Sequence, residues 1–170
     1  MASLAPSQIR HKRFEDRIDY LQAVRNPIVV VSFATADTNV AGMLRSCEAA
    51  MVEKVYLSQT LRDRRAACSG ADKWQPHEVG LPRLGFLKAM GYTVVGLEIA
   101  HNSTRLGDTF LPERMALVVG NESYGIPDEV LRECDIVVEI PQFGFVNCLN
   151  VTVATSIALY EWARQHRGGE

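Results

Sequence analysis

Apolar and polar positions along this chain follow two periods. Phe14, Ile18, Leu21 and Val24 recur at helical spacing, which predicts an amphipathic helix over Arg13 to Arg25 that Asn26-Pro27 ends. Ile28 to Phe33 is a continuous, largely β-branched run and reads as a buried strand. A polar turn, Thr35 to Thr38, leads to a helix from about Asn39 to Met51, with Val40, Met43, Leu44 and Cys47 on its inner face and Asp37 or Thr38 as its cap. Lys54 to Ser58 reads as a short strand, and Gln59 to Gly80 as irregular chain holding one short helix.

The second half repeats the alternation. Leu81 to Met90 predicts a helix stopped by Gly91, Tyr92 to Ile99 a strand, and Ala100 to Glu113 a loop. Met115 to Val119 reads as a strand, Pro127 to Cys134 as a short helix with Pro127 in its first turn, and Ile136 to Ile140 as another strand. A helix over Asn150 to Gln165, apolar on more than one face, ends in a fraying tail. Strands alternating with helices imply an α/β fold: a mainly parallel sheet with helices on both faces, in one domain over 1–170.

Composition changes this picture little. With 170 residues, 47% of them hydrophobic and 22% charged, the chain has an ordinary soluble make-up and enough apolar mass for a real core. No apolar run approaches the roughly 20 residues of a membrane span, and the first residues lack the apolar segment of a secretory signal, so a cytoplasmic location is expected. Cys47, Cys68, Cys134 and Cys148 form no CxxC pair and have no histidine at ligand spacing, so they read as reduced thiols and no metal site is expected. Charge is uneven. Residues 1–75 carry a net +3 and residues 76–170 a net −5, with basic residues gathered at Arg10, Lys12, Arg13 and Arg17 and again at Arg62, Arg64, Arg65 and Lys73. Such clusters suit phosphates, or simply a solvated face.

The usual nucleotide-binding signatures are missing. FATADTNVAG after the first strand holds a single glycine, so there is no GxGxxG, and no GxxxxGK[ST] occurs anywhere. The glycine-bearing loops follow later strands instead, in ALVVGNESYGIP and in DIVVEIPQFGFVNCLNVTVATSIALYE. Loops at adjacent strand ends are where an open α/β sheet holds a small ligand.

Three segments in order carry a resemblance: NVAGMLR, with Asn39 and Arg45; LVVGNESYGIP, with Gly120, Asn121, Glu122 and Gly125; and IPQFGFVNCLNVTVATSIALYE, with Ile140, Pro141, Gly144, Leu149 and Asn150. They resemble the SPOUT methyltransferase superfamily in its SpoU/TrmH branch of RNA ribose 2′-O-methyltransferases, over residues 27 to 165. GADKWQPHEV, YTVVGLEIAHNST and VEIPQFG are similar to the catalytic domain of the large eukaryotic tRNA guanosine-18 methyltransferases. Two positions depart from the family pattern. Ala41 stands where a glycine is usual, with Gly42 next, and Cys148 stands where serine is usual, a weaker hydrogen-bonder.

The resemblance implies a C-terminal trefoil knot and a crevice for S-adenosyl-L-methionine, formed by Leu97, Gly120, Asn121, Gly125, Ile140, Gly144 and Leu149, mostly through backbone. It implies catalytic roles for Arg45, Asn39, Glu122 and Asn150: Arg45 as base or as the group that grips the target phosphate, Asn39 orienting the arginine or the ribose, Glu122 accepting from Arg45 or bracing its loop. Arginine normally keeps its proton, which favours phosphate gripping. Helix capping is the alternative role of Asn39 and of Asn150. RNA contact is expected at Arg45 and Cys148, and from the basic segments at Arg13, Arg62, Arg64 and Arg65. The expected partners are tRNA or another structured RNA, a second copy of the chain meeting through the last helix, and an accessory RNA-binding subunit. The implied activity is tRNA ribose 2′-O-methylation, at guanosine-18 first; an rRNA or other tRNA target, or a non-catalytic RNA-binding role, are the alternatives.

Overall fold

The computed structural model describes residues 23–60, 68–145 and 148–168. The helix expected from Arg13 lies almost wholly outside these residues, as do Arg13, Arg62, Arg64 and Arg65.

Seven strands form one sheet: β1 (Asn26–Ser32), β2 (Val52–Leu57), β3 (His77–Val79), β4 (Thr93–Leu97), β5 (Thr104–Arg105), β6 (Met115–Val119) and β7 (Ile136–Glu139). Their spatial order is β3-β2-β1-β6-β4-β7-β5, and every pairing is parallel. All strands therefore end at one edge. Among the described residues four α-helices accompany them: α1 (Asp37–Ala49), α2 (Leu84–Ala89), α3 (Asp128–Glu133) and α4 (Val151–Arg167).

The continuous apolar runs of β1 and β6 follow from burial on both faces. Ile28 and Val30 of β1 join a core with Met43 and Leu44 of α1 and Leu159 and Trp162 of α4. Val29 and Val31, one residue out of phase, join Leu84 and Leu87 of α2 on the opposite face, where Val130 and Leu131 of α3 also pack. The expected α/β sheet with helices on both faces is thus the observed one.

Helix ends differ from expectation for local reasons. α1 begins at Asp37, with Ala36 as N-cap and no side-chain cap, so neither Asp37 nor Thr38 caps it. α2 is shorter than expected, running from Leu84 with Arg83 as its N-cap to Ala89, and Pro127 is the N-cap of α3 rather than part of its first turn. The loop from Ala100 holds β5 and a 3-10 turn at Leu106–Asp108. α4 runs two residues past Gln165, where a fraying tail was expected, because its last turns grip that loop. Trp162 Nε1 donates to Pro112 O at 3.0 Å, Gln165 bridges Thr109 O and Leu111 N, and His166 Nε2 meets Leu111 O at 2.9 Å. At the sheet edge opposite the strand ends, Arg167 Nη2 donates to Asn26 Oδ1 at 2.8 Å, and Asn26 Nδ2 to Ala50 O at 2.7 Å.

α1 and α4 cross closely. A β-carbon on Gly42 would lie 2.9 Å from Thr152 Cγ2, and Ser46 Oγ meets Ser156 Oγ at 2.7 Å. The small residue needed at this crossing is Gly42, one position beyond the fully buried Ala41.

Candidate functional site

A cavity of about 480 Å³ opens at the ends of β6, β4 and β7 and is closed by the start of α4. That volume lies within the roughly 300–1,000 Å³ of small-molecule sites. Of the residues that the resemblance implies for a cofactor crevice, Leu97, Gly120, Asn121, Gly125, Ile140 and Leu149 line it. Gly144 does not: it is exposed, with open space around it, and the structure does not bring it to the cavity.

One wall is a tight hairpin. Asn121 and Gly125 exchange both backbone hydrogen bonds, at 2.8 and 3.0 Å, and Asn121 Oδ1 accepts the Ser123 amide at 2.9 Å. Asn121 Nδ2 ties the hairpin to Phe33 O and Thr35 Oγ1. Gly125 takes φ +68°, and a side chain there would run into Glu98 Oε2. A β-carbon on Gly120 would lie 2.5 Å from the Gly125 carbonyl carbon. Both positions need glycine, one for its backbone conformation and one for close approach.

The motif residues meet in a network at the cavity's rim. Glu122 Oε1 accepts Asn39 Nδ2 at 2.8 Å and the Ala36 amide at 3.1 Å; Oε2 accepts the Thr35 amide at 3.1 Å and its hydroxyl. Burial alone would raise the Glu122 carboxyl, but bonds from Asn39, its own amide, Thr35 and Ala36 outweigh that and hold it at about 2, below its ordinary 4.5. Asn150 Nδ2 donates to Asn39 Oδ1 at 2.8 Å, while Asn150 Oδ1 accepts the Thr152 and Val153 amides and so caps α4. Thr152 Oγ1 donates to Asn39 O at 2.8 Å. Asn39 itself sits in the first turn of α1 and is not its cap.

Arg45 is exposed, does not line this cavity, and makes no hydrogen bond or ion pair with the described residues. Glu122 therefore braces its loop and the start of α1 and does not pair with Arg45. Six residues separate Asn39 from Arg45, so the two point about 120° apart around the helix. Cys148 is exposed at the cavity wall with a free thiol.

Glu98, Glu139, Ser123 and Gln142 also line the cavity, and sequence reasoning passed over them. A signal existed for the first and second: each is an acid ending an apolar strand run, VVGLE and IVVE. With Glu122 they make three carboxylates, and no lysine or arginine is among the described lining residues. Carboxylates and exposed backbone, with no cationic side chain, suit a positively charged, hydroxyl-bearing ligand such as an adenosyl sulfonium.

A profile described as the SpoU rRNA Methylase family matches residues 26–160. The Mus musculus tRNA (guanosine(18)-2'-O)-methyltransferase is 36% identical over 162 residues, covering 89% of this chain and 10% of that protein. The chain thus spans about a tenth of that relative's length. The crystal structure of an Aquifex aeolicus TrmH/SpoU tRNA modifying enzyme superposes with a TM-score of 0.80 at 26% identity, over 89% of this chain and 82% of that one. The Streptomyces viridochromogenes methyltransferase AviRb, solved with its cofactor AdoMet, shares the fold with a TM-score of 0.74 at 23% identity, over 87% of this chain and 61% of that one.

Proposed function

We propose that this chain, which belongs to the SpoU rRNA methylase family, is the catalytic part of an S-adenosyl-L-methionine-dependent tRNA ribose 2′-O-methyltransferase, with guanosine-18 of the D-loop as first target. The observation that carries the reading is the cavity itself: a pocket of glycine backbone and carboxylates, with the Asn39–Glu122–Asn150 network at its rim. Residues Leu97, Gly120, Asn121, Gly125, Ile140 and Leu149 would hold the cofactor, which supplies a methyl group already activated by its cationic sulfur.

The protein's own task is then alignment, and the proton released from the 2′-hydroxyl as the methyl group arrives passes to solvent water. Glu122, ionised and saturated with hydrogen bonds, is a brace rather than a proton acceptor. Asn39 and Asn150 keep the rim in register for the incoming ribose. Arg45 grips the phosphate beside the target nucleotide and polarises its 2′-hydroxyl, a role that suits a planar cation with several donors. Its exposure away from the cavity of its own protomer supports delivery into a partner's cavity. A homodimer through α4 is supported by the exposed stripe Val153, Ile157 and Tyr160.

In this reading the chain is one SPOUT domain with a C-terminal trefoil knot. Arg13, Arg62, Arg64, Arg65 and Cys148 lie along the RNA path, an accessory subunit or further domains complete the grip on tRNA, and the protein works in the cytoplasm. Labelled cofactor incubated with the chain and unmodified tRNA tests it. A single 2′-O-methylguanosine at position 18 is expected. Label appearing only in rRNA, or at another tRNA nucleotide, would redirect the target, and cofactor binding without transfer to any RNA would favour the non-catalytic role.

A further inference from the structure

Glu98 directly follows β4, the strand between β6 and β7, and lines the cavity beside the Gly120–Gly125 hairpin. Its carboxylate is fixed on both oxygens. Oε1 accepts the Ile99 amide at 2.9 Å and Oε2 the Ile126 amide at 3.0 Å. The hairpin closes against it at Gly125, where no side chain fits.

A carboxylate offers about four lone-pair directions. The two amides occupy one on each oxygen of Glu98, and no other described hydrogen bond reaches it. The other two acids of the cavity are differently placed. Glu122 is filled by Asn39, Thr35 and Ala36. Glu139 gives Oε2 to the Ser103 hydroxyl at 2.6 Å. Glu98 is thus the acid that keeps one open acceptor on each of two immobilised oxygens. That is the complement of a vicinal diol, which brings two hydroxyl donors side by side. An acid at a strand end in the crevice of an open α/β sheet reads a ribose in the same way.

Resting on the cofactor reading above, we propose that Glu98 recognises the ribose of the bound adenosyl group by accepting both its 2′- and 3′-hydroxyls. The contact is to the sugar, so most of its effect is shared by ligands with and without a charge on sulfur.

Calorimetry on the full chain tests this with S-adenosylhomocysteine, its 2′-deoxy and 3′-deoxy analogues, and S-adenosylmethionine. The unmodified protein should bind each deoxy analogue about tenfold or more weakly than the parent, the scale of a hydrogen bond to a charged group. Glu98→Gln should weaken both S-adenosylhomocysteine and S-adenosylmethionine by about tenfold or more and bind the deoxy analogues of S-adenosylhomocysteine within about threefold of their parent. Deoxy analogues that bind the unmodified protein as tightly as the parent would overturn the assignment, even if the variant fails to fold. So would a Glu98→Gln loss confined to S-adenosylmethionine, which would place the acid at the sulfonium. A chain that binds none of these ligands would overturn the cofactor reading and this assignment with it.

Discussion

α1 and α4 both begin beside the cavity and anchor their starts in different ways. α4 is capped locally, by Asn150 accepting the Thr152 and Val153 amides. α1 has Ala36 at its cap position and no side-chain cap of its own. The Ala36 and Thr35 amides are instead taken by Glu122, which lies 86 and 87 residues away. A local cap travels with its helix. A remote one makes the helix start depend on the hairpin that carries it. Through Glu122 the cavity wall and the helix bearing Arg45 hold each other in place, and the Asn150–Asn39 bond joins α4 to the same arrangement.

The largest break in this comparison should come from the far end of α1. Arg45→Ala is expected to lower tRNA methylation on the order of a hundredfold or more, the scale of losing an electrostatic group aimed at the reacting atoms. Its melting midpoint should stay put, because Arg45 makes no hydrogen bond or ion pair with the described residues. Single-turnover kinetics beside calorimetric melting separates the two effects.

Removing the remote cap should cost stability as well as activity. Glu122→Gln is expected to destabilise the protein by about 1 kcal/mol at neutral pH, the shift being discounted for the exposure of the group. The carboxyl is depressed in the folded state, from 4.5 to about 2, so its contribution is complete above about pH 4.5 and is lost as pH falls toward 2. Urea titrations between these limits should show the stability gap between parent and variant closing as acid is added. A constant gap would mean that the carboxylate is not what anchors α1.

The local cap should divide cleanly into two functions. Asn150→Ala should lose about 1 kcal/mol, the usual value of an N-cap. Asn150→Asp keeps the acceptor for the helix amides but loses the donor to Asn39, so stability should return while methylation stays impaired. Equal recovery of both would show that the bond to Asn39 carries no function.

The smallest expected effect lies where the two helices cross. Gly42→Ala gains about 1 kcal/mol of helix propensity and offsets it against Thr152 Cγ2, which the Thr152–Asn39 hydrogen bond holds in position. Alone it should be close to neutral. In a Thr152→Ser background, which keeps the hydroxyl and drops the methyl, it should stabilise by about 0.5–1 kcal/mol in urea melts.

Strands and their burial were legible because a two-sided parallel strand leaves a plain mark: Met115–Val119 was read to the residue, and β1 and β4 to within one or two at each end. The loops that line the cavity were legible through their glycines and the ordered motifs. Three features were not. The cap of α1 belongs to a residue remote in sequence, and no local pattern announces it. Glu98 shares with Glu139 the signal of an acid ending an apolar strand run, and the Ile126 amide and Gly125 folded against it are what distinguish the two. Gly144 has the glycine of a close-approach position but meets no neighbour.

The bond from Arg167 to Asn26 spans 141 residues of sequence and draws the first strand and the last helical turn into one corner. That corner lies across the sheet from the mouth of the cavity. The two sides of the unit, residues 26 and 167, therefore meet at the rear, away from the approach to the ligand. Rejoining the two sides there and reopening the chain in an exposed loop should give a circular permutant that still binds its ligand.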